Sequence, residues 1–140
     1  MDCPRCKLAL SRDRYEGVEV EICQSCLGMW LDTGELETII KSRDFEFSSK
    51  ERQQILAGRT ARNQGPTTPA RCPKCTHRME RLYLDSSAYL VIDRCPAHGI
   101  WLDTGEVKAV QAIAEKSQAV SLMLLQKIRG NTKVTASPKK

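Results

Sequence analysis

Four short clusters constrain this 140-residue chain more than any other feature. Cys3-Pro4-Arg5-Cys6 is followed after sixteen residues by Cys23-Gln24-Ser25-Cys26, and Cys72-Pro73-Lys74-Cys75 is followed after nineteen by Cys95-Pro96-Ala97-His98. In each cluster two soft ligands are separated by two residues. Two such pairs roughly 15–20 residues apart have the spacing of a zinc site. The turn within each pair aims both side chains at one point, and a hairpin that brings two pairs together completes a tetrahedron. Seven cysteines and one histidine make two full sets of four: Cys3, Cys6, Cys23 and Cys26, then Cys72, Cys75, Cys95 and His98. Two Zn2+ ions per chain are expected.

Other uses of these cysteines fit less well. Seven is an odd number for a disulfide framework, and Met1-Asp2 leads into the first ligand without a secretory signal. A cytoplasmic setting is therefore expected. Iron is an alternative for the all-sulfur first set, since a tetrahedral S4 site suits both metals. The imidazole of the second set favours zinc. His77, two residues after Cys75, competes with His98 as the eighth ligand; His98 is preferred because it aligns with Cys26 inside its cluster.

The hexapeptide Trp-Leu-Asp-Thr-Gly-Glu occurs at Trp30–Glu35 and again at Trp101–Glu106. Leu36, Ile39 and Ile40 follow the first copy at helical spacing, and Val107, Val110 and Ile113 follow the second. Asp32 and Asp103 are thus expected as N-caps whose carboxylates accept an orphan helix amide. Glu35 and Glu106, three residues on, can reach back to complete a capping box. Negative charge there also suits the helix dipole. Trp30 and Trp101 are expected to pack where hairpin meets helix. A catalytic acid pair is the competing reading, but no nucleophile or open metal position accompanies it, so no enzyme is expected. Capping leaves one letter unexplained: the threonine common to both copies.

Together, Cys3-Pro4-Arg5-Cys6, Tyr15–Val20 (YEGVEV), Cys23-Gln24-Ser25-Cys26 and Trp30–Leu36 (WLDTGEL) resemble the transcription factor IIB-type zinc-ribbon domain family, found in small prokaryotic proteins. The resemblance covers residues 1–41 closely and 71–111 with changes. Those changes are His98 in place of the fourth cysteine, a longer hairpin, and one residue fewer before Trp101. It implies zinc ribbons as the fold and, by analogy, the transcription machinery as one candidate partner. Ribbons are grafted onto many tasks, so it implies no particular activity.

The expected fold is a small metal-organised α+β protein: two ribbons, each a β-hairpin plus a capped helix, and a long C-terminal helix. In the first hairpin Val18, Val20 and Ile22 alternate with Glu19 and Glu21, Glu16-Gly17 forms the turn, and Leu8 and Leu10 begin the opposing strand. In the second, Leu82 and Leu84 oppose Leu90 and Ile92 across Asp85-Ser86-Ser87. The organisation is a first ribbon and helix at 1–41, a short helix and linker at 42–70, a second ribbon at 71–104, a C-terminal helix at 105–130 and a basic tail at 131–140. Ser48–Glu51 carries another capping signature before a helix ending at Gly58, and residues 61–70 (ARNQGPTTPA) are linker by composition. Val107 to Ile128 contains no proline or glycine and predicts one helix of about 25 residues, roughly 37 Å. It is too short and interrupted to span a membrane.

Leu122, Met123, Leu124, Leu125 and Ile128 crowd seven positions near the end of that helix, more than one face can bury. They are candidates for a homo-oligomer contact or a partner groove. The net charge of +5 is unevenly placed: residues 1–41 carry five Lys/Arg against eight Asp/Glu, whereas residues 105–140 carry seven against two. Nucleic-acid readers concentrate basic residues on the recognition element, and the ribbons do not. The favoured reading is a zinc-ribbon module that binds a protein partner. A weak nucleic-acid contact through basic linker and tail is the alternative.

Overall fold

The alternation of Val18, Val20 and Ile22 with glutamates produces the expected strand, and pairing extends well beyond the hairpins. The computed structural model describes residues 1–42, 46–59, 68–85 and 88–129. The first ribbon consists of β1 (Ser11–Tyr15), β2 (Val18–Ile22), β3 (Met29–Asp32) and α1 (Glu35–Lys41). A connecting helix, α2 (Ser49–Ala57), follows. The second ribbon consists of β4 (Glu80–Asp85), β5 (Leu90–Cys95), β6 (Gly99–Leu102) and α3 (Glu106–Ala114), after which α4 (Gln118–Arg129) closes the described chain.

All six strands form one antiparallel sheet in the order β1-β2-β3-β6-β5-β4. The join is β3 against β6: Met29 faces Leu102, Trp30 faces Trp101, Leu31 faces Ile100, and Asp32 faces Gly99. The first letters of both hexapeptides are therefore strands, and they pair with each other. The register places an approximate twofold axis at the Trp30–Trp101 pair, relating the two ribbons as subunits of a dimer are related.

Period-two alternation sends the two faces of this seam to different environments. Met29, Leu31, Ile100 and Leu102 join Val20, Leu84, Leu90 and Ile92 in an apolar core roofed by α1, α3 and α4. Trp30 and Trp101 point the other way and pack with Ala70, Met79, Cys3, Cys23, Cys72 and Cys95. At the edge strand β1, Arg12, Asp13 and Arg14 are exposed, and charge there discourages pairing with another chain. Leu8 and Leu10 precede β1 rather than starting it; Leu8 is exposed two residues past the first cysteine cluster.

The long C-terminal helix is replaced by two. α3 ends at Ala114, and α4 starts anew after Ser117, whose hydroxyl accepts from the Val120 amide at 3.1 Å. Glu115 at the break turns its carboxylate to the Phe47 amide and the Arg52 guanidinium, at 3.2 and 3.3 Å. The reversal lets α4 pack on α1, α3 and β4. Leu124, Leu125 and Ile128 are consequently buried within the chain, which corrects their assignment to an oligomer or partner contact; Leu122 and Met123 alone of the five are exposed. A straight helix could not cover its apolar side, but a broken one does so intramolecularly. α2 has the capping box expected of it, Ser48 with Glu51. The tail at 131–140 and most of the linker lie outside the described residues. No described helix is long and apolar enough to cross a membrane.

Truncating a fully buried leucine removes its transfer energy and leaves a cavity. Leu124→Ala should therefore destabilise the zinc-loaded protein by about 2–5 kcal/mol. Urea denaturation beside sedimentation velocity checks this; a loss of association with unchanged stability would return Leu124 to an interface.

Candidate metal centres

Each cluster folds as a tight turn. In three of the four the turn aims backbone amides at sulfur, while in the fourth the His98 amide donates to the Cys95 carbonyl. In the first, the amides of Arg5 and Cys6 donate to Cys3 Sγ at 3.3 and 3.2 Å; in the second, the Gly28 amide donates to Cys26 Sγ at 3.4 Å. The Lys74 amide donates to Cys72 Sγ at 3.3 Å. Short backbone bridges, Asp2 with Ala9 and Arg71 with Arg78, clamp the base of the leading turn in each ribbon. Donor atoms of Cys3, Cys6, Cys23 and Cys26 all lie within 4.8 Å of one another, as do those of Cys72, Cys75, Cys95 and His98.

Zinc fits both sets. A tetrahedron with Zn–S bonds of 2.3 Å has edges of about 3.8 Å. Cys3 and Cys26 sulfurs are 3.8 Å apart, as are those of Cys75 and Cys95. His98 presents Nδ1, which lies 3.5 Å from Cys95 Sγ and 3.7 Å from Cys72 Sγ. His77 is exposed and outside the donor set. Its backbone and ring, beside the Cys75 sulfur, instead hold that thiol down to about 6. The Cys26 amide likewise brings Cys23 to about 7, whereas burial pushes Cys72 up to about 11 and Cys26 up to about 12. A divalent cation supplies the positive charge that lets the buried thiols ionise, so metal binding releases protons.

Around these sets, the repeated letters of the sequence acquire partners. Asp32 and Asp103 do not cap the helices. The N-cap positions are Gly34 and Gly105, both in the left-handed region and without a side-chain cap. Only half of the expected box forms: Glu35 accepts from the Asp32 amide and Glu106 from the Asp103 amide, each at 2.7 Å. The aspartate carboxylates are drawn elsewhere. Asp32 accepts from the Trp30 indole and Asp103 from the Trp101 indole, both at 2.9 Å.

Each aspartate also takes a cation from the opposite ribbon's leading turn. Lys74 Nζ meets Asp32 at 2.8 Å, and Arg5 meets Asp103 through two bonds of 3.1 Å. Burial works to raise Asp32, yet Lys74 and Trp30 hold its carboxyl below the usual value. The two pairs differ in weight. Lys74–Asp32 is well exposed and contributes under about 1 kcal/mol. Arg5 is bidentate, less exposed, and bonds Asp93 as well. Asp93, buried, also accepts from Arg81 and from the Ala70 amide, at 3.1 and 3.0 Å.

The threonines serve the same crossing. Thr104 Oγ1 donates to the Cys26 carbonyl, and the Thr33 amide donates to the His98 carbonyl at 3.3 Å. Each touches the fourth ligand of the other site. Two glycines permit the approach: a β-carbon on Gly28 would lie 2.3 Å from the Trp101 ring, and one on Gly99 would lie 2.2 Å from the Leu31 carbonyl.

Two four-donor sites on hairpins, with a helix after each, define a tandem zinc-ribbon protein. The sequence model of the transcription factor zinc-finger family matches residues 2–42 and 71–112, more than half of the chain, and the protein belongs to that family. No curated protein and no solved structure matches it.

Replacing His98 with Ala should remove one of two zinc ions, while His77→Ala should keep both. Metal analysis on the folded variants decides, and the reverse pattern would reassign the ligand. Glu106 gives a second test. Burial, with Asp103 nearby, raises its carboxyl from 4.5 to about 8. Between those values the folded chain holds a proton that the unfolded chain has lost, so stability falls as pH rises through this window. Glu106→Gln keeps the acceptor for Asp103 and removes the titration. With zinc saturating, its Tm should gain on wild type from pH 5.5 to pH 8.5; parallel curves would contradict the assignment.

Proposed function

We propose that this chain is a non-catalytic zinc-ribbon module that binds a protein partner through the turns of its first ribbon. The observation that carries this reading is Leu27. Its φ is 62°, in the left-handed region where a β-carbon is disfavoured by roughly 1–2 kcal/mol. Its side chain is 58% exposed, so the fold gains little from a leucine there. The second ribbon omits the position, passing from His98 directly to Gly99. Leu8, 53% exposed, adds a second large apolar side chain from the neighbouring turn. Apolar side chains kept in water at a rigid, metal-held turn suit docking.

Four protein donors fill each zinc set, which leaves no position for a substrate water and argues against metal catalysis. The net charge of −3 over residues 1–41 favours a basic partner surface and disfavours phosphate. The family's description makes the transcription machinery the first partner class to test. A reducing compartment, where thiolates remain available, is the setting this reading requires.

Leu27→Gly separates binding from folding, because glycine accepts the backbone angle and deletes the side chain. The variant should retain two zinc ions and full thermal stability. Its affinity for a partner captured by a photo-crosslinker at position 8, then purified, should fall at least about tenfold, the loss of one contact of about 1.4 kcal/mol. Unchanged affinity would refute the docking role. Binding to generic RNA or DNA that weakens steeply with salt and ignores Leu27 would instead establish the nucleic-acid reading.

A further inference from the structure

The two metal sites share no ligand, yet every turn that carries ligands also carries a contact to the other ribbon. Arg5, between Cys3 and Cys6, holds Asp103. Lys74, between Cys72 and Cys75, holds Asp32. The carbonyl of Cys26 accepts from Thr104, and that of His98 accepts from Thr33. Gly28, two residues past Cys26, lies against the Trp101 ring, and Gly99, next to His98, lies against Leu31 and the Trp30 ring. All four turns are thus built into the seam, two from each ribbon.

We propose that the two zinc sites are thermodynamically coupled through this seam, so that loading either one raises the affinity of the other. A turn of this kind keeps its shape because a metal fixes its two donors. Release of metal from the second site frees the Lys74 and His98 turns. Asp32 then loses its cation, Thr33 its acceptor, and the Trp30 ring the glycine against which it packs. Trp30 and Asp32 lie on β3, which begins three residues after Cys26, and Thr33 directly follows it. Release from the first site has the mirror consequence: Arg5 leaves Asp103, the Cys26 carbonyl leaves Thr104, and Gly28 leaves Trp101. Linkage requires the two effects to be equal in free energy.

Thiol labelling under a zinc chelator tests this on the full chain, because the first set contributes four cysteines and the second three. Peptide mass spectrometry reports which set becomes reactive at each chelator concentration. Two variants empty one site permanently: His98→Ala the second and Cys26→Ala the first. In wild type the set that opens first does so while the other is still loaded. Emptying that other site should shift its opening to chelator levels lower by about 5–150-fold, the usual range of coupling between sites. The double variant Asp32→Asn with Asp103→Asn retains all eight ligands and should lose most of the shift. A shift in neither single variant would overturn the proposal. So would a shift of unchanged size in the double variant, since the seam would then not carry it.

Discussion

The antiparallel pairing of β3 with β6 is the constraint from which the rest of the molecule follows. It lines up Trp30 with Trp101 at an approximate twofold axis and turns two three-stranded ribbons into one six-stranded sheet. Once that register is set, Met29, Leu31, Ile100 and Leu102 must face the helices, while both tryptophans face the metal turns. A slip of one residue would exchange those faces and bury the aspartates under α1 and α3. The carboxylates of Asp32 and Asp103 guard against this. Each is bonded by its own ribbon's indole and by the other ribbon's basic residue, an arrangement only one register satisfies.

Metal and apolar burial divide the work by face. A ribbon of about forty residues buries too little surface to fold on that alone. Structural zinc supplies on the order of 10–16 kcal/mol in comparably small peptides. The helical face adds what a single ribbon lacks: a core shared by both halves, in which Val20 of the first and Ile92 of the second belong to one cluster. α4 extends that core by folding back at Glu115, and its buried Leu124 touches the same cluster. Fusing two ribbons in one chain also makes their association intramolecular, so the seam forms without dependence on protein concentration.

Both metal sets, the strands β2 and β5 and the α2 capping box were legible in the sequence, because each depends on local spacing. Ligand pairs two residues apart, a period of two, and serine three residues before glutamate are patterns a short window contains. The seam was not legible in that way. Trp30-Leu31-Asp32 is too short to show alternation, and its partner strand is some seventy residues distant. Asp32 before a helical stripe satisfies a capping rule that tertiary pairing overrides: the carboxylate that could cap is taken by Trp30 and Lys74. A trace was nonetheless present. The Thr104 hydroxyl and the basic residues between the leading cysteines, Arg5 and Lys74, all contact the opposite ribbon, whereas Thr33 reaches it only through its backbone amide. The helix break at Glu115 is marked by neither glycine nor proline; its one local trace is Ser117, whose hydroxyl accepts from the Val120 amide, while the contacts of Glu115 with Arg52 and Phe47 are long-range.

Amide hydrogen exchange on the zinc-loaded protein addresses the seam most directly. Backbone bonds between β3 and β6 lie at the centre of the sheet, so their opening requires separation of the ribbons. The amides of Leu31 and Leu102 should therefore be among the slowest to exchange, at least as protected as those of β2 and β5, and should lose protection together when zinc is chelated. Rapid exchange in β3 and β6, beside hairpins that remain protected, would show two independent ribbons and contradict the account.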